Sequence, residues 1–164
     1  MNKAVFIDRD GVINNDNNLY YIYKPEDFKL NEGIIQNIVL LKSAGFLVIV
    51  VSNQGGIGKG LYKKEDTEKL HQILKEEVLK AGPNIDEIYY CPHHPDTSQC
   101  LCRKPDSLLI EKALARFNID PASSYLIGDS QRDIEAAGKA GIKGMLVTKN
   151  SNIKKDCNKI IESQ

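Results

Sequence analysis

Short apolar runs alternate along the chain with longer stretches in which apolar residues return every three or four positions. That alternation predicts strands and helices in turn, hence a largely parallel sheet with helices on both faces. Residues 4–7 read as the first strand, which stops at the polar cluster Asp8, Arg9, Asp10 followed by Gly11. Over residues 31–44, Ile34, Ile38 and Leu41 make one helical stripe that Ile35 widens, and Gly45 supplies a stop. Residues 46–51, rich in β-branched side chains, predict a buried strand that runs into a turn containing Gly55, Gly56, Gly58 and Gly60. A helix over residues 64–81 turns Leu70, Ile73, Leu74 and Val78 inward, with His71 as a partly exposed member, and Gly82-Pro83 ends it.

Residues 85–90 form a short strand. The segment 91–105 then carries three prolines and no periodicity, which predicts an irregular excursion. Helical spacing resumes over 107–117, a strand at 125–127 runs into Gly128-Asp129, and a helix over 132–140 precedes a fifth strand near 145–147. Ile153, Cys157, Ile160 and Ile161 place a docked helix at about 152–162, with Cys157 as a small buried hydrophobe. The expectation is one domain over 1–164, since ~100–200 residues is the usual domain size. Lys plus Arg equals Asp plus Glu at 22 each, so no overall field favours nucleic acid or anionic lipid, and a negatively charged ligand needs a local site. The N-terminus reaches acidic residues after four apolar ones, and no apolar run approaches the ~18 residues of a membrane span. Four cysteines, three of them within twelve positions, do not form a dense disulfide framework. A monomer in the cytoplasm is expected.

In an open parallel sheet, ligands sit beyond the carboxyl ends of the strands, and those ends present Asp8 and Asp10, Ser52 and Asn53, and Asp129. Two carboxylates separated by one residue repel unless a cation or a shared proton neutralises them. Hard oxygen donors suit Mg²⁺, with Asp129 as a third donor beside Asp8 and Asp10. Turn capping is the alternative for each aspartate taken singly. The glycine turn can aim N–H groups at an anion, with the Ser52 hydroxyl and Lys59 as further donors, although its spacing is not that of a P-loop. A plain strand-to-helix connection is the alternative there. In Arg103-Lys104-Pro105, Lys104 can neutralise a phosphate and Arg103 can hold a second anion or a sugar oxygen, against a solvated charged bend.

Cys91, His93, Cys100 and Cys102 offer three thiolates and an imidazole, the donor set of a closed tetrahedral Zn²⁺ site. Free thiols or a Cys100–Cys102 disulfide are the alternatives, and neither explains why all four donors fall in the long stretch without periodicity. Four ligands leave no open position, so the expected role is structural.

The segments Phe6-Ile7-Asp8-Arg9-Asp10-Gly11-Val12-Ile13-Asn14, Ser52-Asn53-Gln54, Arg103-Lys104-Pro105 and Gly128-Asp129-Ser130-Gln131-Arg132-Asp133 together resemble the four ordered motifs of the haloacid dehalogenase superfamily. They are most similar to its small, essentially capless branch that contains heptose bisphosphate and histidinol-phosphate phosphatases. The resemblance runs from Lys3 to about Lys149. It implies a three-layer, doubly wound α/β sheet in the order 3-2-1-4-5 and Mg²⁺-dependent hydrolysis of a small phosphorylated metabolite through an aspartyl phosphate. By motif position it implies Asp8 as nucleophile and Asp10 as general acid and base, with the Asp10 backbone carbonyl joining Asp8 and Asp129 at Mg²⁺. It further implies Ser52, Asn53 and Lys104 at the phosphate, Arg103 and the loop from Asp16 to Leu19 at the substrate, and Asp133 in support of the metal site. A CxH…CxC zinc loop before Arg-Lys-Pro also belongs to the pattern, with His94 outside the ligand set. The entrance to that loop, Ile88 to Pro95, and the turn Gly56-Ile57-Gly58-Lys59-Gly60 resemble the heptose enzymes, which act in lipopolysaccharide precursor biosynthesis. Val12 stands where these often have Thr, and Ser130 where they commonly have Lys. Histidinol phosphate is the nearest alternative substrate, and a noncatalytic zinc-stiffened protein-binding module the distant one.

Overall fold

The computed structural model describes residues 1–163. Five parallel strands form its sheet: β1 (Lys3–Ile7), β4 (Phe46–Asn53), β5 (Glu87–Cys91), β6 (Tyr125–Gly128) and β7 (Lys143–Leu146). The remaining two, β2 (Asn14–Asn15) and β3 (Lys29–Leu30), pair antiparallel outside it. The spatial order is β5-β4-β1-β6-β7, so counting only the sheet strands gives 3-2-1-4-5. Val5, Ile7, Val48, Val50 and Ile127 pack on one side with α1 (Ile34–Ser43), α2 (Lys64–Lys80) and α5 (Lys154–Glu162). Ala4, Phe6, Ile49, Val51 and Leu126 pack on the other with α3 (Leu108–Arg116) and α4 (Gln131–Lys139). Successive residues of β1 and β4 therefore bury opposite faces in two cores, which is why both strands read as unbroken apolar runs. Each fully buried Ile, Leu or Val contributes roughly 1.5–3 kcal/mol by leaving water, and Ile34, Ile38 and Leu41 fix α1 to the sheet in this way. No helix among the described residues is long and apolar enough to cross a membrane.

The structure departs from the sequence reading in three places. The first is the β2–β3 pair, which lies in a stretch with no periodicity and shapes the excursion between β1 and α1. The second is His71, which is buried together with Thr67, Leu70, Leu74 and Val78 of α2. These positions lie three or four apart, so His71 belongs to the buried stripe. The third is Lys59, which pairs with Asp96 at 3.5 Å on the zinc-loop side and is not part of the cavity wall at the strand ends.

Candidate active site

The register of β1, β4 and β6 brings their carboxyl ends level, and the polar residues beyond them meet. Asp8 leaves β1 with its N–H bonded to the Ile127 carbonyl at 3.0 Å. Lys104, 3% exposed, donates from Nζ to Asp8 Oδ1 at 2.7 Å and to the Val51 carbonyl at 2.9 Å, and pairs with Asp133 Oδ1 at 2.6 Å. Asp8, Asp129 and Asp133 each offer a carboxylate oxygen, and the three oxygens lie within 4.8 Å of one another. Gly11, at φ 86°, permits this closeness, because a β-carbon there would collide with the Asp129 carboxylate. Asp133 is fixed in turn, its Oδ2 accepting from the Ser130 N–H at 3.1 Å and the Ser130 hydroxyl at 2.9 Å.

Three carboxylates face one ammonium, and the titration behaviour reflects the excess. Burial raises Asp8 most; Lys104 opposes it, Asp133 and Asp129 reinforce it, and the result is about 7. Asp129 is raised by burial and then by Asp133. Burial alone would lower the Lys104 ammonium, but Asp8 and Asp133 outweigh it and hold it above its ordinary value. A crowded set of hard oxygens with unbalanced negative charge fits a divalent cation such as Mg²⁺.

Asp10 points elsewhere. Its Oδ1 accepts from Arg9 Nε at 3.1 Å, Arg9 Nη2 at 2.9 Å and Asn14 Nδ2 at 3.0 Å, and its Oδ2 from Arg9 Nη2 at 3.0 Å and Gln54 Nε2 at 2.9 Å. Arg9 is wholly buried, with Nη2 also donating to the Ile22 carbonyl at 2.7 Å and Nη1 lying 3.4 Å from His71 Nε2. Burial, followed by Arg9, pushes His71 down to about 3, so this histidine stays neutral against the guanidinium. Arg9, Asn14 and Gln54 were missing from the sequence-predicted site residues; the signal available was an arginine locked between two strand-end aspartates.

A cavity of about 580 Å³ opens over these groups, and Asp8, Asp10, Lys104 and Asp129 line it with Arg103 and Asp16. Asp16 pairs with Lys149 and accepts from Asn150 Nδ2 at 2.9 Å. Burial alone would raise this carboxyl, but those two bonds outweigh it and hold it below its ordinary value. Asn53 also lines the cavity, while its amide brackets the Lys104 main chain: Oδ1 accepts from the Lys104 N–H at 2.9 Å and Nδ2 donates to the Lys104 carbonyl at 3.0 Å. Ser52 is buried and stands behind the wall formed by Asn53, Gln54 and Gly55, its hydroxyl accepting from Gln54 Nε2 at 2.8 Å.

Beside this cavity, Cys91, His93, Cys100 and Cys102 converge. Cys91 Sγ lies 3.5 Å from His93 Nδ1, 3.6 Å from Cys100 Sγ and 3.0 Å from Cys102 Sγ, and His93 Nδ1 lies 3.3 Å from Cys102 Sγ. All four cysteines are free of disulfides. A tetrahedron with metal–sulfur bonds of ~2.3 Å has edges of ~3.7 Å, so the donor set and its spacing suit a structural Zn²⁺. Cys102 lies two residues before Lys104.

A family model described as HAD-hydrolase-like matches residues 101–164. The D-glycero-beta-D-manno-heptose-1,7-bisphosphate 7-phosphatase of Haemophilus ducreyi is 37% identical over 147 residues, covering 86% of this chain and 80% of that protein. The D-glycero-alpha-D-manno-heptose-1,7-bisphosphate 7-phosphatase of Photorhabdus laumondii is 35% identical, covering 92% of this chain and 84% of that one. In three dimensions the chain resembles a D,D-heptose 1,7-bisphosphate phosphatase from B. bronchiseptica, solved with magnesium and phosphate, with a TM-score of 0.91, 28% identity and 99% of each chain covered. The strand-end carboxylates, the sheet order and these likenesses agree: the chain belongs to the haloacid dehalogenase superfamily and is closely related to its D-glycero-D-manno-heptose-1,7-bisphosphate 7-phosphatases.

Proposed function

We propose that this chain, as a single domain, hydrolyses the C7 phosphate ester of a D-glycero-D-manno-heptose 1,7-bisphosphate, with Asp8 as nucleophile. The observation that carries this is the half-buried Asp8 carboxylate at a strand end, 2.7 Å from Lys104 and grouped with Asp129 and Asp133, in a chain 37% identical to such a phosphatase. One Asp8 oxygen attacks phosphorus, the ester oxygen departs with a proton from Asp10, and an aspartyl phosphate remains. Asp10 then takes a proton from water, the hydroxide displaces Asp8 from phosphorus, and inorganic phosphate leaves. Lys104 offsets the charge between attacking carboxylate and phosphoryl group, and Asp133 and the Asn53 amide hold Lys104 in place. Asp8, Asp129 and the Asp10 main-chain carbonyl, with Asp133 in support, would hold Mg²⁺, which would supply charge neutralisation at the phosphoryl group. Asn53 serves the phosphate end of the site, with Ser52 behind it holding Gln54, and Arg103 and Asp16 serve the sugar end. The convergence of unpaired thiols on one point supports residence in a reducing compartment, the cytoplasm.

The test is steady-state hydrolysis, with Mg²⁺ supplied, of both anomers of heptose 1,7-bisphosphate against histidinol phosphate, locating the ester cleaved. The expected result is a higher kcat/KM for a heptose bisphosphate with heptose 1-phosphate as product. Preference for histidinol phosphate would move the chain to the neighbouring branch.

A further inference from the structure

Gln54 stands between Asp10 and a buried phenol. Its Nε2 donates to Asp10 Oδ2 at 2.9 Å and to Ser52 Oγ at 2.8 Å, while its Oε1 accepts from the Tyr62 hydroxyl at 2.7 Å. A side-chain amide has a donor end and an acceptor end: the Asp10 carboxylate, acceptor-only when ionised, takes the Nε2 end, and the phenol proton anchors the Oε1 end. With Tyr62 donating to Oε1, Nε2 is turned to the carboxylate. A half-turn of the amide would set Oε1 against Asp10, acceptor on acceptor. Tyr62 is buried, and burial holds its phenol well above the ordinary value, so the proton that bonds Oε1 stays in place.

The ring is seated independently of its hydroxyl. It stacks on Tyr23 with centroids 4.8 Å apart and an interplanar angle of 4°, and meets Tyr21 edge-on at 5.9 Å. On its other side lies Gly56, where a β-carbon would collide with the ring. Gly56 therefore admits an aromatic ring at close range. Oδ1 of Asp10 takes three N–H donors and Oδ2 takes two, so Oδ2 is the less crowded oxygen and the one Gln54 aims.

We propose that Tyr62 is a positioning residue for the acid–base step: acting through Gln54, it sets the direction from which Asp10 Oδ2 exchanges a proton with the leaving oxygen. The proposal rests on the phosphatase reading, in which Asp10 is the general acid. Protonation matters for an alkoxide leaving group and hardly at all for nitrophenolate, so a fault in the aim of Asp10 has a distinct signature.

The experiment is rapid-quench measurement of phosphoenzyme formation from heptose 1,7-bisphosphate and from p-nitrophenyl phosphate, in the wild type and in Tyr62→Phe. Phosphorylation by the heptose ester should slow about tenfold with KM unchanged, while the nitrophenyl ester reacts within about twofold of the wild-type rate. Equal slowing with both esters, or none with either, would overturn the proposal. Gln54→Leu removes the middle of the same chain and serves even where Tyr62→Phe folds poorly. It should show the same selectivity, and the double variant should be no slower than Gln54→Leu alone. Additive losses would overturn the link. A wild type that forms no phosphoenzyme from either ester would instead overturn the phosphatase reading underneath.

Discussion

Two irregular connections leave adjacent strands of the sheet, residues 54–63 after β4 and residues 92–107 after β5, and each delivers support to a different reacting side chain. The first closes on itself. Lys59 and Leu61 donate to the carbonyls of Gly55 and Gly56 at 3.2 and 2.9 Å, Gly60 donates to Ile57 at 3.0 Å, and Tyr62 packs against Gly56 while reaching Gln54 and, through it, Asp10. The second is tied near its ends, by Thr97 and Ser98 on the His94 carbonyl at 3.0 Å and by Asp106 on Arg103 at 2.8 Å. Around those ties the thiols and imidazole of Cys91, at the end of β5, and of His93, Cys100 and Cys102 converge, and the segment delivers Lys104. One connection is held by hydrogen bonds and aromatic packing that the chain supplies itself, the other by donors that need a cation between them. The two touch, since Gly58 lies against the main chain of Pro92 and His94, yet they should fail under different treatments.

The largest effect belongs to neither connection. Asp8→Asn should lower turnover on the order of 10⁴-fold or more, because the covalent route is gone, as steady-state assays will register. Lys104→Ala should cost roughly 10²–10³-fold in kcat/KM by removing the buried cation from the attack site, with stoichiometric zinc retained. Cys102→Ser should cost about 10²-fold through misplacement of Lys104, with the sheet still folded by circular dichroism. The double variant should lose much less than the sum of the two, and full additivity would separate the zinc loop from Lys104. Dialysis against EDTA should abolish activity that Mg²⁺ alone restores, while elemental analysis finds one Zn²⁺ per chain retained, because closed thiolate sites exchange slowly.

The smallest effect is on stability against pH. Asp8 has a folded value of about 7 against 3.8 for the unconstrained group, so the fold favours its protonated form. The stabilisation is complete below about pH 4 and is lost as pH rises through 7. Protein with zinc retained and Mg²⁺ removed should therefore melt about 2–4 °C lower at pH 8 than at pH 6, and Mg²⁺ should close the gap at pH 8. A melting temperature that rises over that interval without Mg²⁺ would contradict the crowded-carboxylate picture.

The strands and helices were legible because each buries a periodic set of apolar residues: β1 and β4 as unbroken runs between two cores, α1 as the stripe Ile34, Ile38, Leu41. Asp8, Asp129 and the Cys91 to Cys102 donors were legible because their chemistry is unusual at strand ends and in a short aperiodic segment. The β2–β3 pair was not, since strands of two residues each, Asn14–Asn15 and Lys29–Leu30, are too short to show a period. Arg9 and Gln54 were hidden for a related reason: their bonds to Asp10 depend on how the turns after β1 and β4 face each other, and Tyr62 reaches Gln54 only when its ring is seated on Gly56. His71 could have been found, because Thr67, Leu70, Leu74 and Val78 mark the buried stripe to which it belongs.

The central claim is that Asp8 becomes covalently phosphorylated, and acid-quenched single turnover with labelled heptose 1,7-bisphosphate, followed by peptide mapping, tests it most directly. The account predicts label on the peptide carrying Asp8, appearing before free phosphate and absent in Asp8→Asn. Free phosphate released without any labelled enzyme, or label that persists in Asp8→Asn, would contradict it.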